Sequence, residues 1–412
     1  MTHPPQLLRF AALVAFVAYA AFFSIATLAL LGAAAYAAPF IPASDLTPLE
    51  RLASKPGLVG AADRSSRAMS AALKLDPKNA DLAARIAQVY VSRSRTESDP
   101  RYLGQAQSAL AFWWTAEAPP MPILLLRATI RQSTHDFANA RRDLDQAVKR
   151  EPGNAQAWLT MATVLQVTGD LKGAADGCRK VMPLAPPLIG VTCMASIDGA
   201  EGRALQAYDA LNAAMIASDA GGRDSVGVRT WAITLQAEIA ERLNRMADAE
   251  RLYQASLVLD PSDAYSIAAY SDFLIDAGRP NEVLKLIAAT TRADVLLLRR
   301  AIAGRLASSS DAAAMAKDLG ERFAASKARG DRVHLREEAR FALAIKYDPT
   351  EALALARENW QVQKEPLDAR IALETAIAAR QPKAVADVLN WIETTKLQGE
   401  KLSQLVAQVK AQ

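Results

Sequence analysis

Only two cysteines and three histidines occur in the whole chain. A zinc site takes three or four ligands, and His3, His135 and His334 lie far apart in sequence. His334 and Glu338 stand one helical turn apart in HLREEAR, but no further His or Cys is nearby, so His334 reads as an ion-paired surface residue. The catalytic signatures are missing too: no G-x-S-x-G, no G-x-x-x-x-G-K-[ST], no G-x-G-x-x-G and no H-E-x-x-H. No enzyme, no metal and no cofactor are expected. There is also no block of like charge. Forty-eight basic residues face 44 acidic ones, for a net charge of +4, and they are interleaved, as in Arg141-Arg142-Asp143. That excludes the basic footprint of a nucleic-acid binder. Aromatic residues make up only 6%, so the 51% apolar fraction is carried mainly by Ala, Leu, Val and Ile. Alanine is the best helix former and allows close helix crossings. The expected class is all-α.

The first positive feature is a long apolar run. No charge occurs between Arg9 and Asp45, and Phe10 to Leu31 is almost pure Ala, Leu, Val and Phe. As a helix its roughly 22 residues span about 33 Å, enough to cross a bilayer core. Two readings stay open. One is an uncleaved transmembrane anchor; the other is a signal peptide cut after Ala35-Tyr36-Ala37, although the apolar run is longer than a usual signal core. Either way Arg9 favours the inner side and sends the bulk of the chain outward. Residues 1–37 are assigned to this segment. Residues 38–56, with Pro39, Pro42, Pro48 and Pro56, form a spacer, because each proline ring blocks regular helix.

The remainder of the chain is built on a repeat. Ala155 to Pro186 holds Trp158, Met161, Ala162, Leu165, Ala174, Cys178 and Pro186, with a turn at Gly169-Asp170. One 34-residue period earlier stand Leu124, Ala128, Ala140, Leu144, Ala147 and Pro152. Thr230 to Pro261 repeats the pattern with Ala237, Ala249 and Tyr253, and Ala264 to Thr290 with Tyr270, Leu274 and Gly278. A first pair joins Asp81–Ser92 to Leu103–Ala116 across a long polar insertion at Arg93–Tyr102. A compressed pair joins Leu188–Ser196 to Arg203–Ser218 through a turn at Asp198-Gly199. Looser pairs continue to a C-terminal cap at Leu402–Val409. The helix pairs divide into an N-terminal block, 57–218, a Gly-containing break at 219–229 that reads as a hinge, and a C-terminal block, 230–412.

These offsets resemble the tetratricopeptide repeat (TPR) superfamily, over residues 78–290 above all. The layout is similar to uncharacterised membrane-anchored or exported bacterial TPR proteins. The resemblance implies a right-handed α-solenoid of about nine helix pairs behind an N-terminal transmembrane or signal helix. It also implies a concave groove, lined by the first helix of each pair, that holds peptides or partner proteins. Carried over position by position, the groove residues are Gln156, Leu159, Thr163 and Gln166, then Trp231, Thr234, Glu238, Glu241 and Arg242, then Tyr265, Asp272 and Asp276. The later group combines aromatics with carboxylates, a surface suited to an extended or basic segment. Cys178 and Cys193 fall on adjacent antiparallel helices of such an array and are expected to form a disulfide in an oxidising compartment, with two buried thiols as the alternative. Trp113 fits a core position, which leaves Trp114 as a candidate exposed anchor. Arg127 and Arg131 sit where the next repeat has apolar residues: either that helix is rotated, or Arg127 pairs with Asp143 or Asp145. The function expected is that of a non-catalytic scaffold at the bacterial envelope, the repeats facing the periplasm, binding another envelope protein in the groove. The alternative is a regulatory or assembly subunit of an envelope polysaccharide or transport machine that docks side-on.

Overall fold

The computed structural model describes residues 61–221 and 224–412, with side chains from Ala68 onward. The apolar run, the cleavage site and the proline spacer lie outside the described residues. Among the described residues there is no strand, and no helix is long and apolar enough to cross a membrane. The chain divides into two compact units. Of one, only 324–331 is described, a helix end and turn in which Arg329 pairs with Asp331. The other unit holds the described residues 61–323 and 332–412.

Among the described residues a helix α1 (Ala61–Leu75) precedes nine helix pairs. They are α2 (Ala80–Glu97) with α3 (Arg101–Ala109), α4 (Met121–Ser133) with α5 (Phe137–Arg150), and α6 (Ala155–Val167) with α7 (Leu171–Val181). Next come α8 (Pro187–Ala200) with α9 (Ala204–Gly221), α10 (Val226–Arg242) with α11 (Met246–Leu259), and α12 (Ala264–Asp276) with α13 (Pro280–Leu286). The last three are α14 (Asp294–Leu306) with α15 (Ala312–Ala328), α16 (Leu335–Phe341) with α17 (Pro349–Val362), and α18 (Pro366–Ala379) with α19 (Ala386–Thr395). Helix α20 (Glu400–Ala411) closes the stack.

The punctuation is local chemistry. Asn79, Asn154 and Asp263 cap the first helices of their pairs, and Asp136 and Asp170 cap second helices, each side chain accepting a free backbone N–H. Between partners the chain reverses through one residue in the left-handed region: His135, Gly169, Gly202, Asn244, Gly278 and Ser308. His135 and Gly169, like Asn244 and Gly278, lie one 34-residue period apart. Glycine is therefore convenient at this position but not required.

In the pairs from α2/α3 to α10/α11 and in α16/α17 the partners pack closely, and each first helix from α2 through α14 also packs on the first helix of the following pair. Among the described residues no two second helices show contact of that extent. First helices thus lie on the tighter, inner face and second helices splay on the outer one. The apolar clusters follow the chain. One joins Ala128 to Ala200, the next Leu188 to Ala303, and a third Leu353 to Val409. The second cluster crosses the 219–229 segment, where α9 runs on to Gly221, so the core continues through the expected break.

Four local expectations need correction. The insertion at Arg93–Tyr102 is mostly helix, because α2 continues to Glu97 and ends at Ser98 in the left-handed region. The turn of the compressed pair is at Gly202, not Asp198-Gly199. Gly199 is helical, and a Cβ there would stand 2.9 Å from Arg242 Nη1 and 3.2 Å from Ile239 Cγ1. Trp113 is half-buried in a short 3-10 turn, and Trp114 is not an exposed anchor: the Arg131 guanidinium lies 5.1 Å from its ring centroid. His334 is buried, 7% exposed, against Phe323.

Cys178 on α7 and Cys193 on α8 are bonded, with Cα atoms 5.5 Å apart. Arg127 is buried beside Asp143 and donates to both of its oxygens at 2.9 and 2.7 Å. It also donates to the carbonyls of Trp113, Trp114 and Ala116. The arginine in an apolar position thus serves to pin the loop before α4.

Candidate functional site

The inner wall of α6, α10 and α12 carries the residues expected to line a groove. At its α6 end, Gln156 and Thr163 are exposed, Leu159 packs on the neighbouring core, and Gln166 accepts from Ser196 Oγ at 3.0 Å. On α10, Trp231 is half-buried on the same cluster, while Thr234 is buried and hydrogen-bonded to Ser266 Oγ at 2.6 Å. Leu159, Trp231 and Thr234 therefore belong to packing between repeats.

The charged residues of this wall are engaged. Tyr265, a residue 61% exposed, donates its hydroxyl to Glu238 at 2.6 Å. Glu238 has its pKa raised by enclosure between the helices, partly offset by Arg242 at 4.0 Å. Tyr253 donates to Glu241, whose pKa is pushed by burial up to about 7. Enclosure alone would raise Asp272, but Arg299 and Arg340 outweigh it and hold the carboxyl well below its usual range. Arg299 donates to it at 2.7 Å, and Arg340 at 3.0 and 2.7 Å. Asp276 is bound by both ends of the Arg370 guanidinium, one at 2.7 Å.

These arginines come from α14, α16 and α18, which return onto the inner face. The return continues beyond them. The Lys364 N–H donates to the Val167 carbonyl at 2.7 Å, and the Lys364 side chain covers Gly169 at 3.1 Å from where a Cβ would be. Gln398 accepts from the Ala204 N–H at 3.2 Å, and the Lys396 carbonyl approaches Gly202. An open hollow of ≈ 560 Å³ beside this last contact is lined by Arg203, Leu205, Gln206 and Asp209. Arg336 stands near Glu238 but spends its own hydrogen bonds on Asp368 and Glu365. Asn359 donates to the same Asp368 at 2.7 Å.

The expected acidic groove is thus a wall whose carboxylates are already satisfied within the chain. Sequence reasoning placed the acids and missed their partners. The run HLREEAR contains Arg336 and Arg340, but only its histidine stands out as chemistry. His135, in the turn before α5, stacks on Phe137 and has its pKa lowered to about 4 by burial and by Arg336. Among the described residues no group of three His, Cys, Asp or Glu side chains is arranged to hold a metal ion.

No family model matches the chain, and no curated protein matches it either. Solved structures similar to it include yeast Tom70, 12% identical over 85% of each chain, with a TM-score of 0.39. The human IFIT1 dimer with PPP-AAAA is 12% identical over 85% of this chain and 88% of that one, with a TM-score of 0.41. A tetratricopeptide repeat protein from Parabacteroides merdae is 12% identical over 70% of this chain and 98% of that one, with a TM-score of 0.33.

Proposed function

We propose that the chain is a non-catalytic helical-repeat scaffold of the bacterial cell envelope that docks another envelope protein side-on. The observation that carries this reading is the state of the inner wall. Glu238, Glu241, Asp272 and Asp276 are hydrogen-bonded within the chain, so a ligand on this wall would have to displace those bonds. A buried charge stripped of its partner costs about 3–5 kcal/mol. On the outer helices Ile216 of α9 is 64% exposed and Val258 of α11 is 87% exposed, apolar side chains that a side-on partner would cover.

The envelope assignment rests on the apolar run at Phe10–Leu31 and on the Cys178–Cys193 bond, which persists in an oxidising compartment. An apolar N-terminal segment held in the bilayer would raise the local concentration of the repeats for a membrane-bound partner. The test is cross-linked capture from membranes, followed by mass spectrometry. Capture is expected to survive Tyr265→Ala and to be lost in Ile216→Asp/Val258→Asp. The opposite pattern would return recognition to the inner wall.

A further inference from the structure

The loop between α3 and α4 holds three consecutive aromatics, Phe112, Trp113 and Trp114, in a chain whose aromatic fraction is only 6%. Its backbone is tied down by side chains. The carbonyls of Trp113, Trp114 and Ala116 accept from Arg127, that of Glu117 from Gln146 at 2.8 Å, and that of Pro119 from Arg150 at 2.7 Å. Pro119 and Pro120 bring no N–H of their own. A main chain whose acceptors are largely met from within gives up little hydrogen bonding when it leaves water. The loop is thus held in one shape and suited to an apolar surrounding.

What the loop turns outward is apolar, and its neighbours are basic. Phe112 is 47% exposed, with the Lys78 ammonium 5.7 Å from its ring centroid. Trp113 and Trp114 are half-buried and pack, with Leu73 and Ala80, on the apolar cluster that runs from Ala83 to Ile130. The turn carrying Lys78 therefore lies against the loop, and Leu75, which leads into that turn, is 90% exposed. Lys74 and Lys78 are exposed and have no acidic partner among the described residues. An open Leu and Phe beside unpaired lysines suit a bilayer surface, where apolar side chains enter the headgroup–acyl boundary and ammonium groups stay with the phosphates. Lysine is depleted at protein interfaces, which favours lipid over protein here. The same pair is also the one nearest, along the chain, to the apolar run: residues 32–60 join Leu31 to α1 and reach at most about 100 Å.

We propose that the Phe112 loop and the Leu75–Lys78 turn form a contact site for an anionic phospholipid bilayer. Leu75 and Phe112 enter the headgroup–acyl boundary, and Lys74 and Lys78 meet lipid phosphates. The first helix pair then rests on the membrane, and Ile216 and Val258, farther along the stack, are left for the protein partner. The proposal rests on the envelope reading for the presence of a bilayer and adds a second point of attachment to it.

The test uses the full chain in nanodiscs of phosphatidylethanolamine and phosphatidylglycerol. The two native cysteines are bonded to each other, so one introduced cysteine takes a nitroxide label selectively. Ala111→Cys places the label beside Phe112, and Lys172→Cys, exposed in the first turn of α7, is the reference. The label at 111 is expected to shift toward collisions with oxygen and away from an aqueous nickel chelate, relative to the label at 172. Adding Leu75→Asp/Phe112→Asp should return it to the reference value with the chain still in the disc. Labels that read alike at both positions, or a shift that survives the two aspartates, would overturn the proposal and leave this edge to water or a protein. In discs of phosphatidylcholine alone the shift should shrink; a shift of equal size there would overturn the anionic preference. Should the aspartate variant fail to fold, the two labels in the otherwise native chain decide. A chain that never enters the discs sinks the envelope reading and this proposal together, whereas one that enters with the label at 111 in water sinks this proposal alone.

Discussion

Arg127 shows how much a single side chain can carry in this chain. The residue is 4% exposed, and its guanidinium joins Asp143 to three carbonyls of the loop before α4. Arg131 also donates to Asp143, at 2.7 Å, so the three side chains form a buried triad, and breaking it costs about 3–5 kcal/mol. Arg127→Ala should therefore lower stability by about that amount in urea unfolding, whereas Arg127→Met/Arg131→Met/Asp143→Leu, which removes all three charges, should recover most of it. A triple variant as unstable as the single one would place the cost in the carbonyls instead. Glu241 makes a second residue-scale case, with the opposite dependence on charge. Its folded pKa of about 7 lies above the ordinary value of 4.5, so the fold favours the protonated acid. Below pH 4.5 the group is neutral in both states and costs nothing. As pH rises from 4.5 to 7 the unfolded state ionises first, and stability falls. Glu241→Gln should be neutral at pH 4 and stabilising by about 1–3 kcal/mol at pH 8, read as a thermal shift. A shift that does not change with pH would contradict the enclosure.

At the scale of elements, the helix pairs were legible because their marks are local. Asn154, Asp170 and Gly169 act within a few residues of themselves, and apolar spacing at Ala162, Ala174 and Cys178 reports one face of each helix. Asp294–Leu306 and Glu400–Ala411 have no capping side chain, and there apolar spacing alone marks the helix. The inner wall was legible in position but not in state. Nothing within α12 indicates that Asp272 and Asp276 meet arginines 68 and 94 positions later, since that pairing depends on how far the stack curls. The Cys178–Cys193 bond is an intermediate case, because it joins consecutive elements. It closes a loop with a sequence separation of 15, worth about 3 kcal/mol in lost chain entropy of the unfolded state. Reduction should lower the melting temperature of the whole unit by a few degrees, as should Cys178→Ala/Cys193→Ala. An unchanged melt in both would mean that the α7–α8 contact needs no tether.

For the whole unit, the question is how much the return of the C-terminal helices contributes, and two glycines isolate it. Gly202 and Gly278 occupy equivalent turns with φ of +74° and +70°. A side chain at either therefore meets the same left-handed strain, about 1 kcal/mol. Their surroundings differ. A Cβ at Gly278 has nothing within 4 Å, whereas at Gly202 it would stand 2.8 Å from the Lys396 carbonyl and 2.9 Å from the Lys396 Cβ. The difference between Gly202→Ala and Gly278→Ala thus reports the Lys396 contact, with the backbone term cancelled. Gly202→Ala is expected to cost about 1–3 kcal/mol more, the usual penalty for overpacking, if the contact holds its position. If the contact yields instead, the two variants should melt alike, but Gly202→Ala should show a larger radius of gyration by small-angle scattering and a loss of protection at the Lys364 amide. Both outcomes locate the contact at Gly202. Identical melts with identical scattering would mean that the C-terminal helices do not rest there in solution.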